Sequence, residues 1–108
     1  MADLTAQQKD VLVRTVLGEA ADQGFNGMAA VAAVIKNRAD SGQFGSSDPV
    51  SVALAPYQFS AWNNLSQGGN MVGRTASPNS AEYQRALRAV DGVFNGTVAD
   101  PTGGATYC

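Results

Sequence analysis

Met28-Ala29-Ala30-Val31-Ala32-Ala33-Val34-Ile35-Lys36-Asn37-Arg38-Ala39 is the stretch that decides the fold. Met28, Val31, Val34 and Ile35 recur at the three- and four-residue steps of an α-helix. Alanine and valine fill most positions between them, so the helix is apolar nearly all round. A helix of that kind belongs at the centre of a core. Its apolar run, Met28 to Ile35, is far too short to cross a bilayer. Gly24-Phe25-Asn26-Gly27 precedes it as a turn, with Asn26 placed to cap the helix, and Asp40-Ser41-Gly42 ends it.

The flanking segments supply partners for this central helix. Thr5 with Gln8 fits a capping box, which starts a first helix. Val11, Leu12, Val16 and Leu17 then mark its apolar stripe. Gly18 breaks propensity near its end and marks a packing site or a place where a ligand approaches the backbone. Asp48-Pro49 is a cap followed by Pro at the first helical position, opening a short helix from Val50 to Ala55 that Pro56 stops. Asn63 to Ser77 is polar, Gly-rich and without period, the kind of loop that is functional or mobile. Ser77-Pro78 opens a last helix, with Tyr83, Ala86, Leu87, Val90 and Phe94 on its buried face and Asn95-Gly96 at its end. In the tail, Asp100 to Gly104 reads as a turn and Ala105-Thr106-Tyr107 as a short strand. The expectation is a mainly α (α+β) fold: a single domain over 1–108, with about four helices and at most a small β element.

Composition removes most chemistries. The 108 residues are 44% hydrophobic and 15% charged, the balance of a chain that folds around a core. Net charge is −2, and the seven basic residues are scattered, which points away from nucleic acid and from anionic lipid. There is no histidine, so a Ser-His-Asp triad, a Cys-His pair and a His-rich zinc centre are all excluded. The lone Cys108 cannot form an intramolecular disulfide and reads as a frayed terminal thiol or a cut end. The nine acidic residues show no EF-hand spacing, and the glycines form no P-loop or dinucleotide fingerprint. No metal and no cofactor are expected. Met1-Ala2-Asp3-Leu4-Thr5 has neither a basic region nor an apolar one, so the expectation is synthesis in the cytoplasm without a signal peptide.

Carboxylate catalysis survives this elimination. There are only two glutamates. Glu19 lies seven residues after Leu12, four after Thr15 and three after Val16, so on a helix it shares their face. That stripe must face the core, which sets Glu19 toward apolar surroundings at the helix end. Burial and the negative end of a helix both disfavour a charged carboxylate, and a retained proton is what a general acid needs. The other reading is a surface Glu at a helix terminus. Glu82 serves as a control: it falls in the first turn of the last helix, where its charge suits the dipole, and Arg85 follows three residues on.

Tyr57, Gln58, Phe59, Ser60 and Trp62 form a second constellation. Sugar sites combine aromatic faces with Gln, Asn and Ser hydrogen bonds. A domain this small has few aromatics to spare, so at least one of Phe59 and Trp62 is expected in the core.

Four segments occur in an order that resembles a known family. They are Leu17-Gly18-Glu19-Ala20, Gly27 to Arg38, Gln58-Phe59-Ser60-Ala61-Trp62, and Asp100-Pro101-Thr102-Gly103-Gly104-Ala105-Thr106. Together, from about Val11 to Thr106, they resemble the SleB-type cell-wall hydrolases, which include spore-cortex-lytic enzymes. The resemblance implies a lysozyme-like fold and cleavage of peptidoglycan glycan strands between N-acetylmuramic acid and N-acetylglucosamine. It implies that Glu19 is the essential acid and, from the spore enzymes, that the reaction is lytic transglycosylation. A muramidase of the same fold and a non-catalytic wall-binding module of a phage-like particle are the alternatives. Tyr57, Gln58, Phe59, Ser60, Trp62, Thr106 and Tyr107 become the expected substrate contacts. The implied partners are peptidoglycan strands, with a holin or a phage or gene-transfer-agent particle for delivery to the wall. An endolysin-like monomer is the expected working form. This chain departs from the family pattern in two places. Gly18-Glu19-Ala20-Ala21-Asp22-Gln23 stands where the family reads Gly-Glu-Ala-Arg-Gly-Glu, and Tyr107 stands where it has His.

Overall fold

A computed structural model describes residues 4–42, 47–55 and 59–107. They form four α-helices: α1 (Ala6–Ala20), α2 (Gly24–Ser41), α3 (Pro49–Leu54) and α4 (Ala81–Asn95). Two short 3₁₀ turns, Ser60–Trp62 and Leu65–Gln67, lie between α3 and α4. No strand occurs among the described residues, so the fold is mainly α. The radius of gyration is 12.4 Å, against about 13 Å expected for a compact domain of this length.

The helix α2 is the centre. Val31 to Ile35 are all buried, so it has no solvent face along that run. It packs on α4 and α1, and α1 also packs on α4, enclosing one apolar core. Of the expected α1 stripe, Leu12, Val16 and Leu17 are essentially inaccessible, while Val11 is only half-buried and Val13 is buried in its stead. On α4 the stripe is rotated from the expected one: Tyr83, Ala86, Ala89, Val90 and Val93 are buried, while Leu87 and Phe94 pack at its edge. Small residues let α4 approach its neighbours closely, so Ala89 and Gly92 sit deeper than the larger side chains.

The helix starts show what the residues dictate. Thr5 and Gln8 make the reciprocal capping box at α1. Asp48 caps α3 and Pro49 takes its first position. Ala55, which precedes Pro56, is extended and ends that helix. Two expected starts are corrected. The helix α2 begins at Gly24, not after Asn26, and Gln23 at its cap makes no side-chain capping bond. Gly24 has φ +71°, so one residue in the left-handed region reverses the chain and the helix starts at once. The helix α4 begins at Ala81, because the Ser80 hydroxyl accepts from the Tyr83 amide; Ser77-Pro78 forms the preceding turn.

The tail is not a strand, which corrects a second expectation. Its carbonyls are taken by side chains of α2 rather than by another strand. Asn37 Nδ2 donates to Ala105 O at 2.9 Å, and Arg38 Nε donates to Thr106 O at 2.6 Å. The Asp100 carboxylate organises the turn itself. It accepts from Asn37 Nδ2, from the amide and hydroxyl of Thr102, and from the Gly104 amide. Those donors, Asn37 first, hold its pKa down at about 2, against the upward push of burial.

Candidate functional site

The last turn of α1 carries Glu19, one helical turn beyond Thr15 and adjacent to buried Ala20. The Glu19 side chain is half-buried. The 3₁₀ turn Ser60–Trp62 packs directly on this end of α1. Ser60 Oγ donates to Glu19 Oε2 at 2.6 Å, and the Ala61 amide donates to the same oxygen at 3.0 Å. Among the described residues, Oε1 receives no hydrogen bond. The carboxyl group is thus held by one oxygen, and no described residue hydrogen-bonds to the other.

The close approach depends on two glycines. A Cβ on Gly18 would collide with the side chain of Ala61, so the packing role expected of Gly18 is the one it fills. A Cβ on Gly73 would collide with the Arg14 carbonyl of α1. Asn70 Nδ2 donates to Gly18 O at 3.1 Å. The polar loop Asn63 to Ser77 is therefore fastened to α1. Arg14 does most of this: its NH1 donates to the carbonyls of Gly73, Arg74 and Ala76.

Arg14 is itself oriented by Asp10, through Nε, and stacks over the Tyr83 ring at 5.5 Å. Tyr83 donates its hydroxyl to Asp10 at 2.6 Å. Burial pushes the Tyr83 phenol up, and its bond to Asp10 and that carboxylate's charge add to the shift, to about 12. Burial also acts to raise Asp10. The bonds from Tyr83 and Arg14, with the Arg14 charge, outweigh it and hold the carboxyl below its ordinary value.

The expected sugar contacts separate into distinct groups. Ser60 sits on Glu19. Trp62 is half-buried, and its Nε1 donates to Thr15 Oγ1 at 2.7 Å. Phe59 is 2% exposed within the core, under the Arg38 guanidinium at 4.9 Å. Its ring offers no face to a sugar, and the expectation of a substrate contact is corrected to core packing. Thr106 gives its carbonyl to Arg38, while Tyr107 is exposed with its ring 5.4 Å from the same guanidinium. Arg38 thereby ties the tail to Phe59, the residue before Ser60. Tyr57 and Gln58 lie outside the described residues. Glu82 is exposed in the first turn of α4.

Residue-by-residue reading missed Arg14, Arg74, Asn70 and Arg38 as organisers. An isolated Arg or Asn in a polar stretch carries no periodic signal; only the fold shows its carbonyl partners. Thr15 was marked by its spacing to Glu19, but not as the acceptor for Trp62. A separate pocket of about 430 Å³ lies between α2, α4 and the tail. Its polar groups are engaged, Lys36 with Asp40 and Asn37 with Asp100. No group of three or more Asp, Glu, His or Cys side chains with metal-site geometry occurs among the described residues. No helix among them is long and apolar enough to cross a membrane.

A model of the cell wall hydrolase family matches residues 22–108. The chain belongs to that family. Membership supports hydrolysis of peptidoglycan. No curated protein and no solved structure matches the chain. The family match begins three residues after Glu19. In this cell wall hydrolase the α1 helix therefore enters the site on its own geometry: it presents Glu19 to Ser60 and Ala61, which lie within the matched region.

Proposed function

We propose that this cell wall hydrolase cuts peptidoglycan glycan strands between N-acetylmuramic acid and N-acetylglucosamine as a lytic transglycosylase, with Glu19 as general acid and then base. The observation that carries the reading is the half-buried Glu19 carboxyl held through Oε2 by Ser60 and Ala61. Fixing one oxygen aims the other, and a fixed aim is what proton transfer to a bridging oxygen requires.

Protonated Glu19 gives its proton to the glycosidic oxygen as the bond from the muramoyl C1 to that oxygen breaks. The N-acetylglucosamine hydroxyl leaves. The muramoyl 6-hydroxyl then bonds to C1 and returns its proton to the Glu19 carboxylate, closing a 1,6-anhydro ring. Water is not consumed, and one carboxyl group serves both steps. Two-carboxylate glycoside hydrolysis would need a second acid beside the first. Trp62 and Tyr107 supply aromatic surface, and Ser60 holds the acid.

Glu19→Gln keeps the shape and removes the proton. The variant should stay folded and lose clearing of purified cell walls by at least about a hundredfold, the scale of general acid catalysis. Clearing at the wild-type rate would refute the assignment. Product masses distinguish the mechanisms: anhydro-muropeptides mark transglycosylation, while reducing ends mark a muramidase. Binding to insoluble wall without clearing by the wild-type protein would replace the enzyme by a wall-binding module.

A further inference from the structure

We infer that Arg74 is the positioning residue of this site, holding the Ser60–Trp62 turn so that its two donors stay on Glu19. The inference rests on the catalytic reading of Glu19 proposed above.

The Ala61 backbone is gripped on both sides of its Cα. Its amide donates to Glu19 Oε2 at 3.0 Å, and its carbonyl accepts from Arg74 Nε at 2.6 Å. Arg74 NH2 donates to the next carbonyl but one, Asn63 O. The same guanidinium lies 5.8 Å from the centroid of the Trp62 ring. Apart from a long contact with the Met71 sulfur, the directional contacts of the Arg74 side chain go to this turn and to Asn63, which caps it. No carboxylate among the described residues pairs with it.

Arg74 is anchored in turn. Its own carbonyl accepts from Arg14 NH1 at 3.2 Å, and Arg14 belongs to α1, the helix that carries Glu19. The bonds close a ring: Glu19 to Ala61, Ala61 to Arg74, Arg74 to Arg14, and Arg14 back along α1 to Glu19, five residues on. A planar guanidinium presents its donors in a rigid fork that suits two carbonyls at fixed spacing, whereas the donors of an ammonium rotate freely. A charge-assisted bond to a peptide carbonyl is stronger than a neutral one, so it fixes where the Ala61 backbone lies. Arg74 thus acts on Glu19 through the placement of one residue, Ala61. A tie needed only for stability would have no reason to end on the residue whose amide touches the acid.

The test compares Arg74→Gln, Arg74→Lys and Glu19→Gln in wall clearing, with kcat and KM separated on a soluble glycan strand. The Ala61 amide proton is followed by NMR in each folded variant. Arg74→Gln should lower kcat about tenfold or more with KM within about twofold, the pattern of lost orientation rather than lost binding. The Ala61 amide should shift in the same direction as in Glu19→Gln, because both loosen the same bond. Arg74→Lys should fall between Arg74→Gln and wild type, and it decides the matter if the Gln variant does not fold. Arg74→Lys or folded Arg74→Gln at the wild-type kcat, with Glu19→Gln inactive, would overturn this inference alone. So would a loss of activity that only follows the folded fraction, with the Ala61 amide unmoved. Retained clearing by Glu19→Gln would overturn both readings.

Discussion

Thr15 is a fully buried polar residue one helical turn before Glu19. Its hydroxyl donates to Val11 O at 2.7 Å within α1 and accepts from Trp62 Nε1. Both capacities are used, as a buried hydroxyl requires. Thr15→Val keeps the shape and strands the indole N–H. The expected loss is about 1–3 kcal/mol. That corresponds to a fall in melting temperature of roughly 4–8 °C per kcal/mol, read by circular dichroism. Trp62 is the only tryptophan, so its fluorescence should report the change directly. An unchanged melting temperature and spectrum would show that this bond contributes nothing. At this scale the sequence was partly legible. Spacing placed Glu19 on the face of Leu12, Thr15 and Val16, and the absence of histidine narrowed the chemistry to a carboxyl. Arg74 and Arg14 were not legible, because a backbone carbonyl has no residue identity that a sequence could pair with a guanidinium.

The seam between α1 and the Ser60–Trp62 turn is set by Gly18. Alanine there would favour the helix by about 1 kcal/mol. Its methyl group would meet Ala61, however, and overpacking of a tight contact costs typically about 1–3 kcal/mol. The collision involves the Ala61 backbone as well as its side chain, so the turn must move. Gly18→Ala should therefore reduce wall clearing more than it reduces stability. Ala61→Gly, added to it, should restore part of the clearing, and the non-additivity of the pair measures the contact. Additive effects would show that the two residues do not press on each other. Elements with strong local signals were read well from sequence: the capping box at Thr5, the Asp48-Pro49 start, and the all-round apolar α2. The starts of α2 and α4 were misread because capping motifs compete. Asn26 and Ser77 both suit a cap, but the left-handed Gly24 and the Ser80 hydroxyl decide the outcome. The tail mimicked a strand because its β-branched and aromatic residues give the same pattern when their carbonyls are held by Asn37 and Arg38.

Across the molecule, the shifted groups Asp100, Asp10 and Tyr83 tie stability to the two ends of the pH scale. Asp100 is depressed from 3.8 to about 2, and Asp10 is also lowered. A depressed carboxyl contributes stability that is present above its unfolded value and is lost as pH falls through the folded one. Tyr83 is raised from 10.0 to about 12, so its contribution is complete below the unfolded value and is lost as pH climbs through that interval. With no histidine, no side chain of that type titrates in the middle range. Through these three groups, thermal midpoints should fall below about pH 4 and above about pH 10. Midpoints unchanged past both limits would contradict this. Finally, Arg14 joins three carbonyls of the stretch from Gly73 to Ala76 to the helix that helps build the core. A glycine-containing surface segment is ordinarily where a protease nicks first. Here the scissile bonds are riveted to α1, so cleavage at Arg74 by trypsin must wait until that helix lets go. Digestion should proceed at the pace of global unfolding, and the protein would resist trypsin there until it had already lost its shape.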